Sequence, residues 1–282
     1  MPSVYEVVTN QMIAKLEAGV IPWRRPWTSE APMNLNTGKP YRGINVFMLG
    51  LAGYVSPYWL TFNQAKTRGG NIRKGEQSTT VVFWKWNKAE TDPAEETLSQ
   101  APILRYYNVF NVEQCCNIVA PAGRPPVNPI ASAEAIAAGM PNAPVRTQAD
   151  QAFYRPSTDT VAMPGIDCFH DAQGFYATLF HELTHSTGHA SRLNRPGIME
   201  KAIFGSGEYG KEELVAEMGS AMLCAIAGIN NEQIVENSAA YLANWLKAIR
   251  EDSRLLLQAA AQAQKAADHI LGVEQITQRG GE

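Results

Sequence analysis

His181-Glu182-Leu183-Thr184-His185 constrains the fold of this chain more than any other segment. Imidazoles four residues apart share one face of a helix, so both can grip one ion only if the segment is helical. Glu182 stands one step round from the first histidine, placed to bond a water held by that ion. The chain has five histidines, and three of them, His181, His185 and His189, fall within nine residues. A metal site of this kind needs a further donor, so the helix must pack against a second element that carries it.

A catalytic zinc site takes three protein ligands and leaves one position for water. Glu213 is the expected third ligand, within Glu213-Leu-Val-Ala-Glu217 on the next helix. Glu217, one turn on, would accept the other ring N–H of a ligand histidine and fix its tautomer. Glu212 is the weaker candidate, because it points about 100° away from Glu213. The rival is His189. Metzincin proteases place a third histidine after a glycine turn, as HExxHxxGxxH, and Gly188 matches that glycine while Ser191 holds the final position. Glu182 would act as general base and later pass the proton to a leaving amine. Tyr209 is the nearest candidate to stabilise an oxyanion. Zinc is the expected ion, with another divalent transition metal as the alternative. Against this stand two plainer accounts: the histidines are satisfied interior residues, or the ion is only structural.

At 282 residues the chain is long for one core, which favours two domains. It contains no run of 18 apolar residues to span a membrane, and its amino terminus lacks the layout of a signal peptide. The four cysteines show neither CxxC spacing nor a disulfide framework, so a reducing, cytoplasmic setting fits. Charge is distributed unevenly. Residues 1–88 hold eleven Lys and Arg against four Glu, a balance of +7, which leaves −10 for the rest of a chain whose total is −3. Two regions of opposite sign point to different partners.

The same basic region holds Trp23, Trp27, Trp59, Trp84 and Trp86, five of the six tryptophans. Aromatic faces beside cations is the chemistry of single-stranded nucleic-acid binding. The candidate DNA contacts are Trp23, Arg24, Arg25, Trp27, Arg42, Lys66, Arg68, Arg73 and Lys74, with Trp23 and Trp27 expected exposed in a proline-bounded loop. The plainer account puts the tryptophans in the core, and Trp84 or Trp86 faces inward if 79–86 is a half-buried strand.

Ser3 to Glu6 reads as a capping box opening a helix that stops at Gly19. Short helices follow over 44–51 and from Phe62, with strands over 79–86 and 104–111. Pro121 to Pro129 is the linker candidate. Beyond it come a helix over 132–138, a hairpin of 152–154 and 160–163, the metal-motif helix over 172–187, a helix over 211–227 and two more over 231–267. There are no internal repeats.

Taken in order, several stretches resemble the ArdC family of plasmid antirestriction proteins, whose amino-terminal domain also heads conjugative TraC-type primases. They are Trp23–Trp27, Tyr41–Asn45, Leu60–Ala65, Ile72–Glu76, Tyr107–Gln114, Asp159–Pro164, Thr178–Gly188, Ser191–Leu193 and Glu212–Glu217. The resemblance implies an α+β fold of two domains. An N-terminal α+β single-stranded DNA-binding domain would occupy 1–122, a linker 123–130, and a C-terminal zincin-like, gluzincin-type metallopeptidase domain 131–282. It implies protection of incoming plasmid DNA from host restriction during conjugation, with single-stranded DNA as partner and a host restriction protein as a further candidate target. Zincins bind peptide on an edge strand ahead of the motif helix, and Asp159–Met163 sits where that strand would be. Two other functions stay open: a single-strand-binding shield with a silent metal domain, and a DNA–protein crosslink protease.

Overall fold

Ser3 opens the first helix, α1 (Val4–Glu17), as a capping box: its hydroxyl accepts from the Glu6 amide, and the Glu6 carboxylate accepts from the Ser3 amide. The structure is a computed structural model that describes residues 3–23, 31–85, 103–121, 128–199, 207–229 and 238–273. After α1 come β1 (Met33–Asn34), α2 (Ile44–Gly50), β2 (Tyr58–Thr61), α3 (Phe62–Thr67), β3 (Asn71–Ile72), β4 (Thr79–Lys85), β5 (Ile103–Asn111) and β6 (Cys115–Cys116). Then follow α4 (Pro129–Ala138), β7 (Val145–Gln148), β8 (Phe153–Arg155), β9 (Thr160–Met163), α5 (Ala172–Ser186), α6 (Pro196–Met199), α7 (Gly207–Ala227), α8 (Ser238–Glu251) and α9 (Leu255–Ile270). The fold is α+β.

The amino-terminal sheet has the order β1-β2-β5-β4, parallel between β1 and β2 and antiparallel elsewhere. A small antiparallel pair, β3 with β6, stands beside it. The second sheet has the order β7-β9-β8, with β7 parallel and β8 antiparallel to β9. Thr160–Met163 is therefore hydrogen-bonded on both sides, which corrects its expected place as a peptide-accepting edge. Its backbone groups are already used, and the edges belong to β7 and β8. The expected linker also ends earlier than its sequence suggests. Pro129 is the first residue of α4, where its missing N–H costs nothing, and Asn128 caps that helix by accepting from Ile130 and Ala131.

The main core ignores the boundary between the two halves. Val8, Met12 and Leu16 of α1, Trp23, and Ile44, Phe47 and Met48 of α2 share one apolar cluster with α4, α5, α7, α8 and α9. Trp23 meets Trp245 of α8 edge to face, with ring centroids 5.4 Å apart. Along α9, Leu256, Ala260, Ala263, Ala267 and Ile270 recur at helical spacing and are all fully buried. Alanines on that stripe keep the helix close to its neighbours. At its far end Asp268 pairs with Arg42 and accepts from Gln264, while Gln264 accepts from the Gly43 amide at 3.0 Å. Gly43 sits at φ +58°, a conformation that glycine adopts without strain.

Candidate functional site

Asp171 caps α5 by accepting from the Gly174 amide, and the helix carries His181-Glu-Leu-Thr-His185 in its last two turns. Tyr176, Leu179, Phe180 and Leu183 bury the opposite side in the core. The next long helix, α7, lies hard against α5. A Cβ built on Gly219 would meet Thr184 Cγ2 at 2.6 Å and Oγ1 at 2.8 Å, so only glycine fits at the crossing. Thr184 has little room to yield, since its hydroxyl donates to the Phe180 carbonyl at 2.7 Å. Ser220 donates across the same interface to the Ala177 carbonyl at 2.8 Å.

This close approach brings Glu213 beside the two histidines. The His181 and His185 Nε2 atoms are 3.1 Å apart, with Glu213 oxygens 3.6 Å from the first and 3.5 Å from the second. Bonds of 2.0–2.2 Å in a tetrahedral array put ligand atoms ~3.3 Å apart, so the triangle fits a divalent transition metal. His181, His185 and Glu213 are the metal-competent group found among the described residues. His189 turns away, partly exposed, with its Nδ1 2.8 Å from Ser191 Oγ. Glu182, beside His181, is buried.

Each of the two histidines faces a different glutamate of α7 on its outer nitrogen. Glu212, not Glu217, meets His185 Nδ1 at 3.2 Å, which directs the Nε2 lone pair at the cradle. Glu217 lies 4.0 Å from His181 Nδ1, beyond a hydrogen bond. The 100° turn that keeps Glu212 out of the ligand triangle carries it to the outer side of His185. Arg195, from the loop between the two helices, holds it there. Its Nε donates to Glu212 Oε2 at 3.0 Å and one terminal nitrogen to Oε1 at 2.6 Å. The guanidinium also donates to Thr187 Oγ1 and the Thr184 carbonyl, and is itself buried. Gly188 leaves room for it: an added Cβ would stand 3.1 Å from that guanidinium and 2.5 Å from Ile198.

Electrostatics follow from this packing. Burial would press the His185 imidazole below its ordinary value, but Glu212 and Glu213 reverse this and hold it up at about 10. His181 is raised in the same way, Glu213 outweighing burial. Burial would raise Glu213 and Glu212, yet the histidines pull Glu213 well below the carboxylate range, and His185 with Arg195 lowers Glu212. A second, partly buried cluster ties the loop after α5 to the sheet. Arg192 donates to Asp159, to the Ser186 carbonyl and to the Asn142 carbonyl, and Tyr154 donates to Asp159 at 2.9 Å. Arg192 thereby holds Asp159 below its usual range.

The remaining sequence candidates divide. Tyr209 falls in the first turn of α7, and its side chain lies outside the described residues, as do Arg24, Arg25 and Trp27. Trp23, expected in an exposed loop, is 1% exposed, because a ring of that size gains more by filling the gap against Trp245 than by facing water. Arg42 pairs with Asp268, Arg68 donates to the Leu35 carbonyl, and Arg73 pairs with Glu76. Lys66 lies over the Phe62 ring, and Lys74 is exposed. Of Trp84 and Trp86, one of them expected to face inward, Trp84 is 51% exposed and Trp86 lies outside the described residues. No helix of the described residues is long and apolar enough to cross a membrane.

A helix-borne HExxH with a glutamate from the following helix, joined to an α+β amino-terminal half, defines a protein with a zincin-like carboxyl part. Residues 131–262 match the zincin-like metallopeptidase family, and residues 2–110 match the N-terminal domain of anti-restriction factor ArdC. The chain belongs to the ArdC family of antirestriction proteins. It superposes on the Mn(II)-bound crystal structure of the antirestriction ArdC protein from plasmid R388 with a TM-score of 0.78 at 38% identity, covering 98% of this chain and 100% of that one. The metal-free crystal structure of the same protein gives 0.76 at 39% identity, covering 95% and 96%. The chain is 36% identical to an uncharacterised protein, y4eC, of Sinorhizobium fredii, over 98% of this chain and 94% of that one. It is also 36% identical to a DNA primase TraC of Escherichia coli over 96% of its own length but only 27% of the primase. A second Escherichia coli TraC is matched over 20% of its length, so the chain spans about a quarter of these longer relatives.

Proposed function

We propose that this chain binds single-stranded DNA and protects incoming plasmid DNA from host restriction during conjugation, using a zinc-dependent peptidase site in its carboxyl half. The observation that carries the catalytic part is the His181, His185 and Glu213 triangle with Glu182 buried beside it. A binding scaffold has no need of a carboxylate at that point. Membership of the ArdC family and the close likeness to the R388 protein, itself called an antirestriction protein, support the biological role. His181, His185 and Glu213 are the ligands in this reading, and Glu212 and Arg195 hold His185 in register. Zinc is the proposed ion in the cell; the R388 relative was crystallised with Mn(II), and the same donors suit either. A divalent ion held there would polarise a peptide carbonyl and make a water more acidic. Glu182 takes the proton from that water and delivers it to the leaving amine. A cytoplasmic setting and a host restriction protein as peptide target belong to the same proposal.

The test compares recovery of a plasmid entering a restricting host that carries wild-type protein, Glu182→Ala or His185→Ala. Wild type should raise recovery, and both variants should lose that effect. Elemental analysis of the purified proteins should find metal in Glu182→Ala and none in His185→Ala. Full protection by Glu182→Ala would replace the peptidase reading with that of a DNA shield. Equal metal loss in both variants, or in neither, would overturn the ligand assignment.

A further inference from the structure

Strands β4 and β5 extend beyond the sheet that they help to form. β2 reaches only Val109 to Asn111 of β5, so residues 81–85 and 103–107 form a two-stranded ribbon along which burial falls away. Val81 and Val82 are buried, whereas Trp84 is 51%, Tyr106 52% and Tyr107 53% exposed. Rings left half in water contribute little to folding, and by register Tyr107 lies on one side of the ribbon while Trp84 and Tyr106 lie on the other. Cross-strand partners share a face, so Val81 with Tyr107 and Phe83 with Arg105 lie on one side. On that side Phe83 and Tyr107 stack nearly parallel, with centroids 4.4 Å apart and planes 13° from one another. Arg105, opposite Phe83, is exposed. Neither strand carries an acidic residue.

We propose that the face bearing Phe83, Arg105 and Tyr107 is a base-stacking platform for single-stranded DNA. The two rings already make one step of a stack, and a nucleobase continues it on any open ring face whatever its identity. Arg105 stands beside that step to meet a phosphate, and the lack of carboxylates on both strands suits a polyanion. This platform takes the place of Trp23, which is buried, and of Arg42 and Arg73, which are held by Asp268 and Glu76. The inference rests on the single-strand-binding reading proposed above and adds where the bases sit.

Fluorescence anisotropy of a labelled oligodeoxythymidylate, titrated with the full chain at several salt concentrations, tests it. Tyr107→Ala should weaken binding about tenfold, while Tyr107→Phe, which keeps the ring, should bind as wild type does. Arg105→Ala should weaken binding and reduce the salt slope by about one. Thermal melting and metal affinity, read on each variant, report whether the fold is intact. Photocrosslinking of wild type to an oligonucleotide bearing 5-iododeoxyuridine gives a measure free of any substitution, with adducts expected at Phe83 or Tyr107. Wild-type binding that survives Tyr107→Ala, or adducts confined to other segments, overturns the platform and leaves single-strand binding standing. No binding by wild type overturns both.

Discussion

Arg195 does more for the metal site than its distance from the HExxH motif suggests. Buried and bonded twice to Glu212, it keeps that carboxylate ionised and aimed at His185 Nδ1. Arg195→Ala leaves a buried carboxylate without its counter-charge, so Glu212 should protonate or turn away. Metal affinity, read by competition with a chelating dye, should fall about 10–100-fold, the usual cost of losing an outer partner of a ligand histidine. An unchanged affinity would show that Glu212 needs no such support. Asp159 offers a test in pH. Arg192 lowers its folded pKa, so the ionised form stabilises the fold above the unfolded value of about 3.9, and that contribution is lost as pH falls through the lowered folded value. Asp159→Asn should therefore melt earlier than wild type at pH 7, and the gap should close as the pH is lowered below about 4. A constant gap across that range would rule out the ion pair as its source.

The contact between α5 and α7 turns a sequence motif into a cradle. One methyl at Gly219 would drive against Thr184, whose hydroxyl is committed to the Phe180 carbonyl. Gly219→Ala should cost about 1–3 kcal/mol in denaturant unfolding and weaken metal binding, because Glu213 rides on the displaced helix. Thr184→Ala in the same chain removes the colliding atoms and should restore part of both. Additive losses in the double variant would mean that the two positions do not touch in solution. The β4–β5 ribbon behaves in the opposite way. Its strands are fixed by alternation and hydrogen bonding, but burial falls away along it, with Leu104 still against the main core and Trp84, Tyr106 and Tyr107 about half exposed.

At the scale of the whole molecule, two sequence regions share one core. Family boundaries at 2–110 and 131–262 separate the halves in sequence, yet Val8, Met12, Leu16, Trp23 and Phe47 pack among the carboxyl-terminal helices. A fragment of residues 1–120 would expose that surface, so it should show no cooperative thermal transition by circular dichroism, whereas the full chain should melt as a unit. A cooperative melt of the fragment would mean that the amino-terminal half closes its own core.

Local chemistry was readable from the sequence alone because it depends on neighbours in the chain. The Ser3 capping box, the helix that places His181 and His185 on one face, the strands around Val81 and Val109 and the antiparallel pairing of β8 with β9 all follow from spacing and side-chain type. Glu213 was within reach as well, since a HExxH helix demands a further donor and the next helix offers one. What lay beyond reach was decided by contacts between distant segments. Glu217 reads as the orienter and Glu212 as a weaker ligand until a crossing at Gly219 fixes the rotation of α7 and sets Glu212 against His185. Trp23 reads as a loop residue until Trp245, more than two hundred positions away, supplies the surface that buries it. Tertiary packing alone decided which tryptophan is core, which arginine is already paired and which carboxylate faces a histidine, because each depends on an inter-element distance that sequence spacing does not encode.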